Sequence, residues 1–149
     1  MTSRRLVTAA LLAACLSGCV APAVDTSDYE SKATSTAQAA VSAARTAVLT
    51  TTTYDRGRLP VNYLEPVLVD AEDTLGSVLT TFDSVQPPAT SSADAMRAEL
   101  DPLLQRATSA VTDMRIAARR RESSELTRSA GALARVADRL ESFAREHSR

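Results

Sequence analysis

Apolar residues recur at intervals of three and four through most of the chain, and this spacing constrains the fold more than any other feature. The interval matches the 3.6-residue turn of an α-helix, so the apolar side chains of each segment share one face. We therefore predict an all-α protein. The pattern is cleanest near the C-terminus, at Leu126, Ala130, Leu133, Ala137, Leu140 and Ala144, joined by Val136 and Phe143.

Three earlier segments carry the same periodicity. The first predicted helix starts near Asp28 and runs to about Thr53. Asn62 is the predicted cap of the second helix, and Ser91 or Ser92 that of the third. Their apolar positions are Ala33, Ala37, Ala40, Val41, Ala44 and Val48 in the first, Leu64, Val67, Leu68, Ala71, Leu75, Val78, Leu79 and Phe82 in the second, and Met96, Leu100, Leu103, Leu104, Ala107, Val111, Met114 and Ala118 in the third.

The boundary between the third and the last segment carries no glycine or proline. A single helix from about 92 to 147 would extend roughly 80 Å, with no partner of equal length to cover its apolar face. A break at Ser123 or Ser124, with serine as the cap, instead gives four helices of similar length. Matched lengths favour an up-down-up-down four-helix bundle over residues 28–147. The alternative is a three-helix bundle with one long C-terminal helix, kinked at Pro102.

Residues 1–18 have the layout of an export signal. Arg4 and Arg5 form a basic start, residues 6–16 form an apolar core, and the small residues Ser17 and Gly18 follow. This apolar core is about half as long as the roughly twenty residues that a helix needs to cross a bilayer. We therefore expect a removable signal peptide rather than a permanent membrane span.

Leu16, Ser17, Gly18 and Cys19 resemble the lipobox of bacterial lipoproteins. The resemblance implies that Cys19 receives a diacylglycerol through a thioether and becomes the new N-terminus, with Leu16 as the outer box position. Residues 19–27 would then tether the folded domain to the extracytoplasmic face of the cell membrane. An ordinary secretory signal is the alternative, and the paired arginines also leave twin-arginine export open.

The chain lacks the residues that most enzyme sites use. Cys15 lies in the expected signal peptide and Cys19 is the expected lipidation site, so no thiol remains for a disulfide, a metal or a nucleophile. His147, the one histidine, is close to the C-terminus, where we expect a solvated side chain. We therefore expect no catalytic residue, no metal and no cofactor. The carboxylates of the second and third helices fit a solvated face: Glu65, Asp70, Glu72, Asp73 and Asp113.

Charge is distributed unevenly along the chain. From residue 20 to 101 there are twelve acidic and five basic residues, whereas from residue 102 onward ten arginines accompany six acidic residues. Acidic and basic helices that lie side by side would explain this difference without any partner. Few aromatic residues are available to stack on bases, so a nucleic-acid partner is not expected.

A functional interpretation follows from the predicted topology. If the first helix starts at the membrane, the 54–61 loop and the 119–124 turn lie together at the pole farthest from the lipid. Guanidinium groups with tyrosines suit an anionic envelope polymer or an acidic protein partner. The predicted binding residues are Tyr54, Arg56, Arg58, Tyr63, Arg119, Arg120 and Arg121.

These features predict a non-catalytic binding or structural adaptor of the cell envelope, similar to other small bacterial lipoproteins. A carrier is the alternative hypothesis. In that interpretation the bundle, lined by alanine, valine and leucine together with Met96 and Met114, holds an acyl chain or another hydrophobic ligand.

Overall fold

The computed structural model describes residues 25–148, which form four α-helices. They are α1 (Thr26–Asp55), α2 (Val61–Asp83), α3 (Ser91–Arg120) and α4 (Ser123–Glu146). The all-α four-helix prediction is confirmed. The three-helix alternative is wrong, because the chain turns between α3 and α4. None of these four helices combines the length and apolar character needed to cross a bilayer. The predicted signal peptide and lipobox (Leu16, Ser17, Gly18 and Cys19) lie outside the described residues.

Contacts near the helix ends establish the up-down-up-down order. Thr127, near the start of α4, donates a hydrogen bond of 3.2 Å to Asp55 at the end of α1. α1 and α3 begin at the same pole, where the Thr26 and Thr90 hydroxyl oxygens lie 3.3 Å apart. We call this the proximal pole. The opposite end, with the 56–60 loop and the 121–122 turn, is the distal pole.

Small side chains let α1 approach three other helices. Each helix packs against its two neighbours in the ring, and α1 also contacts α3 across the bundle, whereas α2 and α4 do not meet. Because interaxial distance depends on the side chains at the contact, alanine permits this close approach. The bundle is therefore narrower along the α1–α3 diagonal. The α1 alanines that are fully buried are Ala33, Ala37, Ala40, Ala44 and Ala47.

Large aromatic side chains fill the proximal end of the core. Tyr29 and Phe82 are buried with ring centroids 5.8 Å apart, and the Arg97 guanidinium lies 5.8 Å from the Phe82 centroid. Phe143 stacks on His147 at 4.3 Å. His147 is thus half-buried rather than solvated, because α4 continues to Glu146 and holds the imidazole against Phe143. The proximal pole is closed by packed rings.

Helix starts differ from the predicted caps by one or two residues. Asp25 caps α1 by accepting a 2.9 Å hydrogen bond from the Asp28 backbone, and Thr90 caps α3. Asn62 lies inside α2, which starts directly after Pro60. α4 starts after Glu122, which makes no side-chain cap hydrogen bond. The predicted caps at Asn62 and at the serines are therefore wrong, because a residue one or two positions earlier takes the non-helical conformation that a cap requires.

The end of α1 is a Schellman motif built on Gly57. Gly57 has a φ of +68°, and its N–H donates to the Tyr54 carbonyl at 2.8 Å. The Arg58 N–H donates to the Thr53 carbonyl at 3.1 Å. This pair of bonds satisfies carbonyl groups that the helix end would otherwise leave unpaired.

The end of α3 repeats this motif without a glycine. Arg121 has a φ of +59°, and its N–H donates to the Ala118 carbonyl at 3.1 Å. The Glu122 N–H donates to the Ala117 carbonyl at 2.9 Å. The left-handed conformation is unfavourable for a residue with a Cβ. Because Arg121 adopts this conformation in place of a glycine, the sequence carries no glycine signal for the turn between α3 and α4.

Exchanging residue types at these two caps is expected to change stability in opposite directions. Arg121→Gly should raise the free energy of unfolding by about 0.5–1 kcal/mol, because glycine adopts a positive φ without the Cβ clash. Gly57→Ala should lower it by about 1 kcal/mol through the backbone alone, since no atom lies within 4 Å of an added Cβ. Urea denaturation measures both changes. A loss of stability in Arg121→Gly would contradict the assignment.

Candidate functional site

The four-helix topology brings all seven predicted binding residues to the distal pole. α1 and α3 end there, and α2 and α4 begin there. Each predicted residue lies in a connecting segment or within about one helical turn of it. The residues brought together are Tyr54, Arg56, Arg58, Tyr63, Arg119, Arg120 and Arg121.

The distal arginines differ in how they are paired. Arg119 Nε lies 3.6 Å from Glu65 Oε1, and both side chains are more than half exposed. The others, Arg56, Arg58, Arg120 and Arg121, are exposed, and none forms an ion pair within 4.0 Å among the residues that the structure describes. Because exposed ion pairs are weak, even Arg119 can exchange Glu65 for another anion.

The two predicted tyrosines are not equivalent. Tyr54 is half-buried and packs against the hydrophobic core in the last turn of α1. Tyr63, in the first turn of α2, has 58% of its surface exposed. Tyr63 is therefore the tyrosine that is open to a partner, whereas Tyr54 supports the end of α1.

Carboxylates are interspersed among the distal arginines. Asp55 accepts the hydrogen bond from Thr127, and Glu125 pairs with Arg128 at 2.5 Å. Glu65 is held by Arg119, and Glu122 is exposed in the turn. The distal pole is thus basic but mixed in sign, and a uniformly charged polyanion would also meet carboxylates there.

An exposed apolar groove lies between α1, the 56–60 loop and α2, and the sequence did not reveal it. Leu49 is 68% exposed and Val61 is 55% exposed, near Tyr63. Leu49 lies outside the predicted stripe of α1, and periodicity identifies only buried faces. We call this feature the Leu49 groove. It has a volume of about 270 Å³ and is lined by Leu49, Thr50, Thr53, Leu59, Tyr63 and Val67.

A polar clasp between α2 and α3 supports the distal half of the bundle. Glu72 of α2 accepts a hydrogen bond of 2.7 Å from Thr112 and pairs with Arg115, both on α3. The expectation that Glu72 belongs to a solvated face is therefore wrong, because its side chain is only 22% exposed and turns towards α3. Burial alone would raise the pKa of Glu72, but the hydrogen bonds from Arg115 and Thr112 outweigh it and lower the pKa below the ordinary value of a glutamate.

Breaking this clasp is expected to destabilise the protein in a pH-dependent way. Because the folded-state pKa of Glu72 is lowered, its contribution is fully present above the unfolded pKa and is lost as pH falls through the folded value. Glu72→Gln should lower the free energy of unfolding by about 1–2 kcal/mol at pH 7. The difference between the variant and the wild type should shrink as the pH falls through the lowered folded-state pKa of Glu72. Urea denaturation across this pH range checks both statements.

The control for the clasp is Glu65→Gln, which removes an exposed carboxylate from the same pair of helices. We expect no measurable change in stability from it, since exposed pairs contribute little. A Glu72→Gln effect that stayed constant from pH 7 to pH 3 would contradict the assignment.

The described residues offer no ready metal centre, since residues 25–148 contain no group of three or more His, Cys, Asp or Glu side chains placed to hold an ion. The chain has no significant match to a family model, to a curated protein or to a solved structure. The distal pole is therefore interpreted from its own geometry. That geometry combines unpaired guanidinium groups, one exposed tyrosine and the Leu49 groove.

Proposed function

We propose that the protein is a lipid-anchored adaptor of the cell envelope. Diacylglycerol on Cys19 would hold it to the extracytoplasmic face of the membrane, and the distal pole would bind an acidic protein segment that carries an apolar side chain. The observation that carries the proposal is the exposed Leu49 groove, whose lining residues Thr53 and Leu59 flank the segment that carries the unpaired Arg56 and Arg58.

The position of the chain entry supports an upright orientation. Asp25, the first described residue, lies at the proximal pole, and the six residues from 19 to 24 reach at most about 20 Å. α1 then extends for 30 residues, which corresponds to about 45 Å. An anchor on Cys19 would therefore keep the proximal pole near the lipid and direct the distal pole away from it.

The composition of the distal pole favours a protein partner over an anionic polymer. A polyanion is bound by charge alone and gains nothing from exposed leucine, valine and tyrosine. A protein segment with carboxylates and one apolar side chain fits both parts of the surface, because apolar anchors supply affinity while arginines orient the acidic groups. A groove of about 270 Å³ accommodates one or two side chains. We therefore expect a small, transient interface.

The carrier hypothesis receives less support. Met96 and Met114 are buried in the packed core, with 6% and 0% of their surface exposed. A ligand inside the bundle would have to displace them together with the leucines around them. Close packing of this kind resists insertion, because each displaced core side chain loses its contacts.

Two variants test the adaptor proposal by separating its apolar and its charged component. Leu49→Ser alters the groove, and Arg56→Ala combined with Arg58→Ala removes the flanking charge. After chemical crosslinking in intact cells, we expect both variants to recover less of the partner peptide that mass spectrometry identifies with the wild type. The matched control is Ile116→Ser on α3, which changes an exposed apolar residue outside the groove.

The result that would contradict the proposal is equal recovery from the wild type and both variants. Attachment to glycan, with no crosslinked peptide, would instead support the anionic polymer. Far-ultraviolet circular dichroism of each variant shows whether the helices are retained, so a loss of partner is separated from a loss of fold.

A further inference from the structure

Three arginines line the seam between α3 and α4 without an acidic partner. Arg106 lies on α3, and Arg135 and Arg139 lie one turn apart on α4. Among residues 25–148, no carboxylate oxygen lies within 4.0 Å of these guanidinium groups. All three line one open groove of about 770 Å³, which we call the seam groove. It lies along the side of the bundle, away from the distal pole.

Arginines at other helix seams are neutralised across the seam. Arg45 of α1 reaches Asp138 and Glu141 of α4 at 2.7 and 3.0 Å. Arg115 of α3 pairs with Glu72 of α2. The carboxylate of Asp138, the residue before Arg139, is thus paired with Arg45 of α1 and does not neutralise the arginines of the seam groove. The α3–α4 seam differs because none of its three arginines has a carboxylate within ion-pair distance among the described residues.

Carboxylates bracket the seam groove at its two ends. Asp113 lines the groove towards the distal pole, and Glu99 lines an adjoining recess of about 280 Å³ that shares Arg106 and Arg139. Each carboxylate is seven residues from Arg106 along α3, which corresponds to about 10 Å. A long polyanion lying in the groove would meet negative charge at both ends, whereas a compact anion could contact the arginines without spanning the distance between the two carboxylates.

We propose that the seam groove binds a compact phosphate-bearing anion, either free or as the headgroup of a lipid. Guanidinium groups donate paired hydrogen bonds to phosphate oxygens, and three positive groups in one groove repel each other until an anion neutralises them. Gln105 and Ser109 line the same groove and provide neutral donors. The site is separate from the distal pole, so its test does not depend on the adaptor function.

Isothermal titration calorimetry of the mature lipidated protein in a neutral detergent tests the site with inorganic pyrophosphate. We expect the combined Arg106→Gln and Arg139→Gln variant to bind at least about tenfold more weakly than the wild type, because even one lost charge-assisted contact corresponds to roughly that factor. Arg128→Gln is the control, since Arg128 is an exposed arginine of α4 that pairs with Glu125 outside the groove. It should bind pyrophosphate as the wild type does.

Two further probes define the ligand. Short-chain phosphatidic acid that binds the wild type and not the double variant would identify a lipid headgroup, and pyrophosphate binding alone would identify a free anion. Tighter binding of long-chain polyphosphate per site would contradict a compact ligand. The proposal is overturned if neither compact probe binds the wild type, or if the double variant retains wild-type affinity. If the double variant loses helicity, NMR of the wild type replaces it as the test. Pyrophosphate should then shift the amide signals of α3 and α4 that line the seam groove, and unchanged signals would overturn the proposal.

Discussion

Replacing Cys19 with alanine is expected to move the protein from the membrane fraction to the soluble fraction of cells. The proposed anchor depends on this one sulfur atom, since acyl chains contribute about 0.8 kcal/mol per buried methylene and two chains together give stable attachment. Without the thiol, no thioether can form. Cell fractionation followed by intact mass measurement checks both the location and the lipid modification.

The matched control is Cys15→Ala, which removes the other cysteine of the chain. Cys15 lies within the predicted signal peptide, so its loss should leave both the mature mass and the membrane fractionation unchanged. An unmodified wild-type protein, or a Cys19→Ala variant that stays in the membrane fraction, would contradict the lipid anchor. The folded bundle itself does not depend on that outcome.

Leu133→Ala is expected to lower the free energy of unfolding by about 3 kcal/mol. Leu133 is completely buried on the core face of α4, and truncation removes its packing and leaves a cavity that its neighbours refill only in part. For a domain of this size, such a loss corresponds to a decrease in Tm of roughly 10 °C. Urea and thermal denaturation monitored by circular dichroism measure it.

The same substitution at Leu49 provides the comparison. Leu49 is 68% exposed, so Leu49→Ala should change the free energy of unfolding by less than about 0.5 kcal/mol. This variant also tests partner binding without disturbing the fold. Similar effects at Leu49 and Leu133 would show that the burial assigned to these two leucines is wrong.

Apolar spacing predicted the number and order of the helices because long amphipathic helices leave a strong periodic signal. Seven of the eight predicted apolar positions of α4 are buried, and Val136 is half-buried at the edge of the core. Seven of the eight predicted positions of α3 and five of the eight of α2 are buried as well. In α1 the predicted stripe missed several buried positions. Val41 and Val48 lie at the edge of the core, whereas Tyr29, Ala47 and Thr51 are fully inside. Because α1 contacts three helices, its buried face is wider than one stripe and consists mainly of alanine, a weak apolar signal.

Local conformation was harder to predict than the helices themselves. The turn at Arg121 uses the left-handed region without a glycine, so sequence rules offered no marker for the break. The observed cap of α3 differs from the predicted one because adjacent polar residues can all serve as an N-cap, and Thr90 does so instead of Ser91 or Ser92. At Thr90 a side-chain hydrogen bond from the Ala93 backbone N–H marks the cap, whereas Pro60 and Glu122 make no side-chain cap hydrogen bond. Single-residue preferences differ by too little to reveal these outcomes.

The predicted topology identified which residues gather at the distal pole, but not which of them are paired or exposed. Connecting segments that alternate between two ends of a bundle must bring Arg56, Arg58 and the 119–121 arginines together. Which of these arginines meets a carboxylate depends on helix rotation, and so does the exposure of Leu49. The seam groove was missed for the same reason, because the sequence does not show which charges face each other across a seam.

Site-specific photocrosslinking in intact cells tests the adaptor account most directly. A crosslinking amino acid at Tyr63, beside the Leu49 groove, is compared with one at Ala95, an exposed position on the first turns of α3 near the proximal pole. The account predicts a discrete protein adduct at Tyr63 but not at Ala95, and its crosslinked peptide should combine acidic residues with an apolar side chain. Identical adducts at both positions, or no protein adduct at Tyr63, would contradict it.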